Sequence, residues 1–116
     1  MGYAEFEAKK ALQHTPMISI LKQGVLSINQ SCYEQYFKKS KYAKFYYDEK
    51  NRKMGIKPTE VKEKAYPVRQ ISNGKVFNLT AIAFLKHYNI PHTESRAYNC
   101  HWNSKENLIE IDLKGA

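Results

Sequence analysis

Short apolar runs separated by polar turns dominate the chain from Met17 onward, and this spacing predicts β-strands rather than long helices. Between the runs MISI and VLSI lies a KQG turn that ends at Gly24, which is the pattern of a β-hairpin. Asn29 follows as a predicted N-cap for a short helix over QSCYEQYF. The segments KYAKFYY and KMGIKP then predict a second hairpin, which Pro58 ends. Residues 17–58 therefore contain strand, strand, helix, strand and strand.

The same order of elements recurs in residues 65–114. The runs PVRQI and KVFNL predict a hairpin that turns at Gly74, and Thr80 is a predicted N-cap for the helix AIAFLKHY, which Pro91 ends. RAYNCHW and LIEIDL predict the last two strands by their alternation. We therefore predict two tandem copies of one unit, with residues 17–58 as the first repeat. A chance agreement between two halves of a small α+β chain is the alternative.

These elements predict an α+β fold that is mostly β, in a single domain over residues 17–116. A chain of 116 residues supports one hydrophobic core rather than two. Residues 1–16 have helix-forming composition and are predicted to be a short helix or a flexible tail. The predicted core consists of the inward-facing apolar side chains Ile18, Ile20, Leu26, Ile28, Phe45, Tyr47, Met54, Ile56, Val68, Val76, Leu79, Phe84, Tyr98, Trp102, Ile109 and Ile111.

The formal net charge of +8, with an isoelectric point near 9.5, favours polyanions as partners. The charge is uneven. Residues 1–58 carry 11 basic and 5 acidic side chains, a net charge of +6, whereas residues 59–116 carry 8 and 6, a net charge of +2. We therefore expect nucleic acid, DNA in preference to RNA, to bind mainly to the first half of the chain.

Within that half, the basic and aromatic segment 38–57 is the candidate binding site. Its alternation predicts that Lys44, Tyr46, Lys53 and Lys57 share the outer face of the second hairpin, where ammonium groups suit phosphates and a base can stack on the tyrosine. An ordinary solvated sheet face is the alternative. The candidate nucleic-acid-binding residues are Lys38, Lys39, Lys41, Lys44, Tyr46, Arg52, Lys53 and Lys57.

The segments GVLSINQSCYEQYF and KFYYDEKNRKMGIKP resemble the strand-to-helix entry and the closing hairpin of the AbrB/SpoVT-like family of swapped-hairpin DNA-binding transition-state regulators. The resemblance covers residues 18–58 well and residues 66–113 less closely. It implies that two units exchange hairpins to form one barrel, so that two copies in one chain make a monomeric pseudo-dimer. It also implies DNA binding and transcription regulation. Where the family usually has Ile-Pro at the helix entry, this chain has Ile28 followed by Asn29.

Other chemistry finds little support in the sequence. Cys32 and Cys100 are expected to be buried free thiols, with a single bridge between them as the alternative. We expect no metal site, because the histidines and cysteines follow no dense ligand spacing. The histidines are His14, His87, His92 and His101.

Enzyme motifs are also missing from the sequence. The chain contains no glycine-rich phosphate loop, nucleophile elbow or HExxH motif, so we expect a non-enzymatic protein with no cofactor. It has no long apolar run and no secretory signal, which predicts a cytoplasmic protein without a membrane segment, either a monomer or a homodimer. Two alternatives stay open, namely an adaptor or antitoxin-like module that binds a protein partner, and a small enzyme without a recognisable motif.

Overall fold

The computed structural model of the protein describes residues 15–38, 40–71 and 75–114, so most of the predicted N-terminal helix or tail and the predicted turn at Gly74 lie outside the described residues. The strands are β1 (Met17–Ile20), β2 (Val25–Asn29), β3 (Tyr42–Asp48), β4 (Lys53–Thr59), β5 (Tyr66–Pro67), β6 (Arg69–Ile71), β7 (Val76–Thr80), β8 (Arg96–Asn99), β9 (His101–Asn103) and β10 (Leu108–Asp112). The helices are α1 (Gln30–Cys32), which continues into one π-helical turn (Tyr33–Phe37), and α2 (Ile82–His87).

The strands form two five-stranded antiparallel sheets, which confirms the prediction of a mostly β fold. Sheet A has the strand order β6-β7-β2-β1-β8, and sheet B has the order β5-β3-β4-β10-β9. The described residues form no closed barrel, so that part of the predicted fold is wrong. The physical reason is that each sheet ends in short edge strands of two to four residues, β6 and β8 in one sheet and β5 and β9 in the other, to which no further described strand is paired.

The chain changes sheets three times, once through the first helix between β2 and β3 and twice at a single residue. Val68 separates β5 in sheet B from β6 in sheet A, and its N–H donates to the carbonyl of Lys41 at 2.9 Å. Cys100 separates β8 in sheet A from β9 in sheet B, and its N–H donates to the carbonyl of Pro16 at 3.2 Å. The segments PVRQI and RAYNCHW, each predicted as one strand, are therefore each divided between the two sheets.

One hydrophobic cluster joins the sheets, and its centre is the predicted one. The isoleucines of β1, β4 and β10 are 0–1% exposed, as are Leu26 and Ile28 of β2, which agrees with period-two alternation. Half-buried aromatic side chains pack around them. The fully buried members that the sequence predicted are Ile18, Ile20, Leu26, Ile28, Met54, Ile56, Leu79, Ile109 and Ile111.

Two predicted core positions are wrong. Val76 is half-buried, and Phe77 takes the inward position at 6% exposure, because period two places Phe77 on the same face as Leu79. Trp102 is 41% exposed because it lies on the edge strand β9, where the inward face of sheet B is only partly covered.

The two predicted helix caps have different outcomes. Asn29 is confirmed as the N-cap of α1, since its Oδ1 accepts from the backbone N–H of Cys32 at 2.9 Å. Thr80 is not a cap. It is still paired with Val25 in sheet A, and α2 begins after Ala81, whose side chain makes no capping hydrogen bond.

Cys32 and Cys100 are buried free thiols, as predicted, and they contact each other across the core. Their Sγ atoms are 3.6 Å apart. The hydrogen bond with Cys100, together with burial, raises the pKa of the Cys32 thiol well above its ordinary value. Cys32 therefore stays protonated at neutral pH and acts as a small apolar side chain of the core.

Candidate nucleic-acid interface

Two lysines lie directly opposite each other on the outer face of sheet B. The register of β3 and β4 places Lys44 opposite Lys57, Tyr46 opposite Gly55 and Asp48 opposite Lys53. In β3, alternation points the side chain of Ala43 into the core and those of Lys44 and Tyr46 to the outer face. Like charges directly opposite in an antiparallel pair repel each other, so the arrangement of Lys44 and Lys57 is unfavourable unless an anion binds there.

Two further lysines lie where the first helix leads into β3. Lys38 ends the π-helical turn with a left-handed backbone, φ 54°, and its N–H donates to the carbonyl of Tyr33 at 2.8 Å. Its side chain lines one groove with Lys57 and a neighbouring groove with Lys41. We name Lys38, Lys41, Lys44 and Lys57 the basic cluster. Lys39 lies outside the described residues.

The other predicted site residues lie toward the opposite end of the hairpin. Lys53 and Lys57 are four residues apart on β4, which corresponds to about 13 Å of strand. Lys53 lies opposite Asp48, and its Nζ is 3.9 Å from Oε1 of Glu110 on β10, so acidic groups offset its charge. Arg52 lies in the turn and lines a separate cleft with Arg96. Neither residue therefore joins the basic cluster.

The surroundings of Tyr46 are acidic, although the tyrosine itself is 45% exposed. The groove beside its ring is lined by Asp48, Glu106 and Glu110, with Lys53 as the basic member. Two hydrogen bonds from Asn51, one from its side chain and one from its backbone, lower the pKa of the Asp48 carboxyl and keep it ionised. A phosphate next to Tyr46 would therefore meet net negative charge.

A different aromatic side chain lies beside the basic cluster. Trp102 stacks on Tyr36 of the π-helical turn, with ring centroids 5.5 Å apart and ring planes 4° from parallel. Partial burial raises the pKa of the Tyr36 hydroxyl, which stays neutral. The groove at these rings has a volume of about 730 Å³. It is lined by Gln35, Tyr36, Phe37, Lys38, Ser40, Lys57, Pro58, Glu60, Trp102 and Asn107.

Sequence reasoning missed this groove because alternation assigned Trp102 to the core. The assignment of its side to the inner face is correct, since Trp102 lies opposite the buried Ile109. Exposure depends on the position of β9 at the sheet edge, which alternation within one segment does not reveal. No local signal distinguishes this tryptophan from a core residue.

Within the described ranges, no helix combines the length and apolar character that a membrane crossing requires. The same residues include no group of three histidine, cysteine or acidic side chains placed to hold a metal ion. His87 lies edge-on to the ring of Tyr88 on the exposed side of α2, and His101 is exposed on β9.

No protein-family model matches the chain, and searches of curated proteins and of solved structures find no significant match. Function is therefore inferred from the geometry of the chain's own residues.

Proposed function

We propose that this chain is a small, non-enzymatic nucleic-acid-binding protein in which the basic cluster holds backbone phosphates. The observation that carries the proposal is the cross-strand pair of Lys44 and Lys57. None of the four cluster lysines forms an ion pair with another described residue, whereas Lys53 does. A bound polyanion would offset the repulsion and release its own counterions, and both effects favour binding.

Binding is expected on one side of the molecule. On β10, the strand that corresponds to β4 in the second half, Glu110 and Asp112 occupy the positions opposite Gly55 and Lys53. Their carboxylates would repel phosphate at that end of the sheet. The polymer is therefore expected to follow the end of the hairpin at which Lys44 and Lys57 lie.

We propose further that the two halves are copies of one unit that exchange hairpins, as the AbrB/SpoVT-like resemblance implies. The strand order supports this, because sheet A joins β1–β2 to β6–β7, and sheet B joins β3–β4 to β10. The register supports it as well. Leu26 pairs with Leu79 and Ile28 pairs with Phe77, so that an exchange of the halves maps each pair onto the other.

Aromatic contacts also cross between the halves. Tyr47 of the first half contacts Tyr88 at the end of α2, with ring centroids 4.9 Å apart, and Trp102 of the second half stacks on Tyr36 of the first. Each closing hairpin therefore contacts the helix of the other half, which favours the exchange. Duplex DNA and a role in transcription regulation are what this resemblance implies for the bound polymer and the biological role.

Neutralisation of the cross-strand pair Lys44 and Lys57 tests the proposal. In the variant Lys44→Gln/Lys57→Gln, binding to DNA at low salt should weaken about tenfold or more, because two phosphate contacts are lost. Its folding stability should not fall, because a like-charge pair is removed. The matched control Arg52→Gln/Lys53→Gln removes the same charge outside the cluster and should bind nearly as tightly as the wild type.

Fluorescence anisotropy with labelled DNA measures both variants, and thermal unfolding checks that they fold. Equal weakening by the two variants would contradict a localised site. If the wild-type chain does not bind DNA or RNA at low salt, the proposal is wrong, and a protein partner becomes the better explanation of the exposed aromatic and basic residues.

A further inference from the structure

The groove at Trp102 combines the three chemical features that an unpaired nucleotide requires. The indole and the Tyr36 ring offer aromatic surface, Lys38 and Lys57 line the groove with positive charge, and Asn107 supplies an amide that can bond a base edge. Its volume of about 730 Å³ lies in the range of small-ligand sites.

Charge distinguishes this groove from the one at Tyr46. Two lysines and one carboxylate, that of Glu60, line the groove at Trp102, and Lys44 lies opposite one of these lysines, Lys57, on the next strand. One lysine and three carboxylates line the groove at Tyr46. Because every base carries its own phosphate, a stacking ring is useful only where that phosphate is also attracted.

From this juxtaposition we infer that Trp102 is a stacking platform for an unpaired base, and that the chain prefers single-stranded to duplex nucleic acid. This inference rests on the proposed nucleic-acid binding and specifies its substrate as a single strand, in place of the duplex that the AbrB/SpoVT-like resemblance implies. A base inside a duplex is already stacked on its neighbours and is not free to stack on the indole, whereas a base of a flexible strand is. Lys38 and Lys57 then hold the phosphates on either side of that base.

Trp102 makes the test direct because it is the one tryptophan of the 116-residue sequence. Its fluorescence therefore reports on this groove alone. A twelve-nucleotide single strand of thymidine should quench the emission in a saturable way, and a mixed-sequence duplex of the same length should quench it much less. Anisotropy of a labelled strand measures the affinity independently.

Substitutions test whether the indole ring of Trp102 is responsible for single-strand binding. Trp102→Leu should weaken binding to the single strand about tenfold, while binding to the duplex should change less than about twofold. Trp102→Phe keeps an aromatic face and should restore most of the affinity. Tyr46→Leu removes the other exposed ring and should leave single-strand binding unchanged. Circular dichroism checks that each variant folds.

The inference is overturned if the single strand binds without changing the tryptophan emission, or if Trp102→Leu and Tyr46→Leu bind it equally well. It is also overturned if a polyglutamate peptide quenches the emission at lower concentration than the oligonucleotide does, which would assign the groove to an acidic protein. Duplex binding with no stacking at Trp102 would leave the proposed function intact, whereas no binding of either polymer would remove both.

Discussion

Asn29 connects three segments of the chain through one short side chain. Its Oδ1 accepts from the backbone N–H of Cys32 at 2.9 Å and from that of Met17 at 3.1 Å, and its Nδ2 donates to the carbonyl of Thr15 at 2.9 Å. The residue therefore caps α1 and also holds the start of β1 beside the end of β2. A capping side chain with additional partners stabilises more than the cap alone.

Replacement of this residue should measure that stabilisation. Asn29→Ala is expected to lower the free energy of unfolding by about 1–2 kcal/mol, because two backbone donors lose their acceptor. Thr80→Ala, at the matching position before α2, should cost less than about 0.5 kcal/mol because Thr80 is exposed and does not cap. Urea unfolding measures both variants, and equal losses would show that the side chain of Asn29 has no special role.

At the scale of single residues, the sequence predicts which face of a sheet a side chain lies on better than how exposed that side chain is. Alternation assigns Ile18, Ile56 and Ile109 to the core correctly, because all three lie on strands with neighbours on both sides. Alternation does not show that Trp102 is exposed. How far a side chain on an edge strand is covered depends here on the π-helical turn, which is distant in sequence.

Among the elements, the first hairpin is fixed by a close contact between its turn and α2. Gly24 has a φ of +86°, and its carbonyl accepts from the N–H of Ala81 at 2.9 Å. A Cβ atom added to Gly24 would lie 2.4 Å from Cδ1 of Ile82. The glycine is thus required for its backbone conformation and for the close approach of the helix.

Gly24→Ala should therefore be strongly destabilising, by about 2 kcal/mol or more, because backbone strain and a steric clash act together. Gly55→Ala should cost less, because a Cβ there would meet the side-chain methyls of Leu108 at 3.1 Å, which can shift, and Cβ of Tyr46 at an ordinary contact distance of 3.4 Å. Urea unfolding compares the two variants. A Gly24→Ala protein that is as stable as the wild type would mean that the turn does not pack on α2.

The sequence predicts most hairpins and both helices, but it does not predict where the chain changes sheets. At Cys100 the apolar alternation of Tyr98, Cys100 and Trp102 continues without interruption, and at Val68 no glycine or proline follows within the segment, so each segment resembles one strand. The break arises because the two sheets are separate layers and the chain must cross from one to the other, a constraint that is set by tertiary packing.

At the scale of the whole molecule, the fold brings together lysines that are spread along the sequence. The register of one hairpin is enough to bring Lys44 opposite Lys57, and this part of the site follows from alternation. Alternation does not predict that Lys53 lies outside the basic cluster, because the acidic strand β10 becomes the neighbour of β4 only through the strand order of sheet B. The four lysines of the basic cluster remain as the expected phosphate contacts.

The salt dependence of nucleic-acid binding is the most direct test of phosphate binding by the basic cluster. The association constant for a single-stranded oligonucleotide should fall with salt with a log–log slope of about −3, as expected for four phosphate contacts at about −0.7 each. In Lys44→Gln/Lys57→Gln the slope should fall to about half of that value. A wild-type slope near zero, or a slope that the double substitution leaves unchanged, would contradict phosphate binding by the basic cluster.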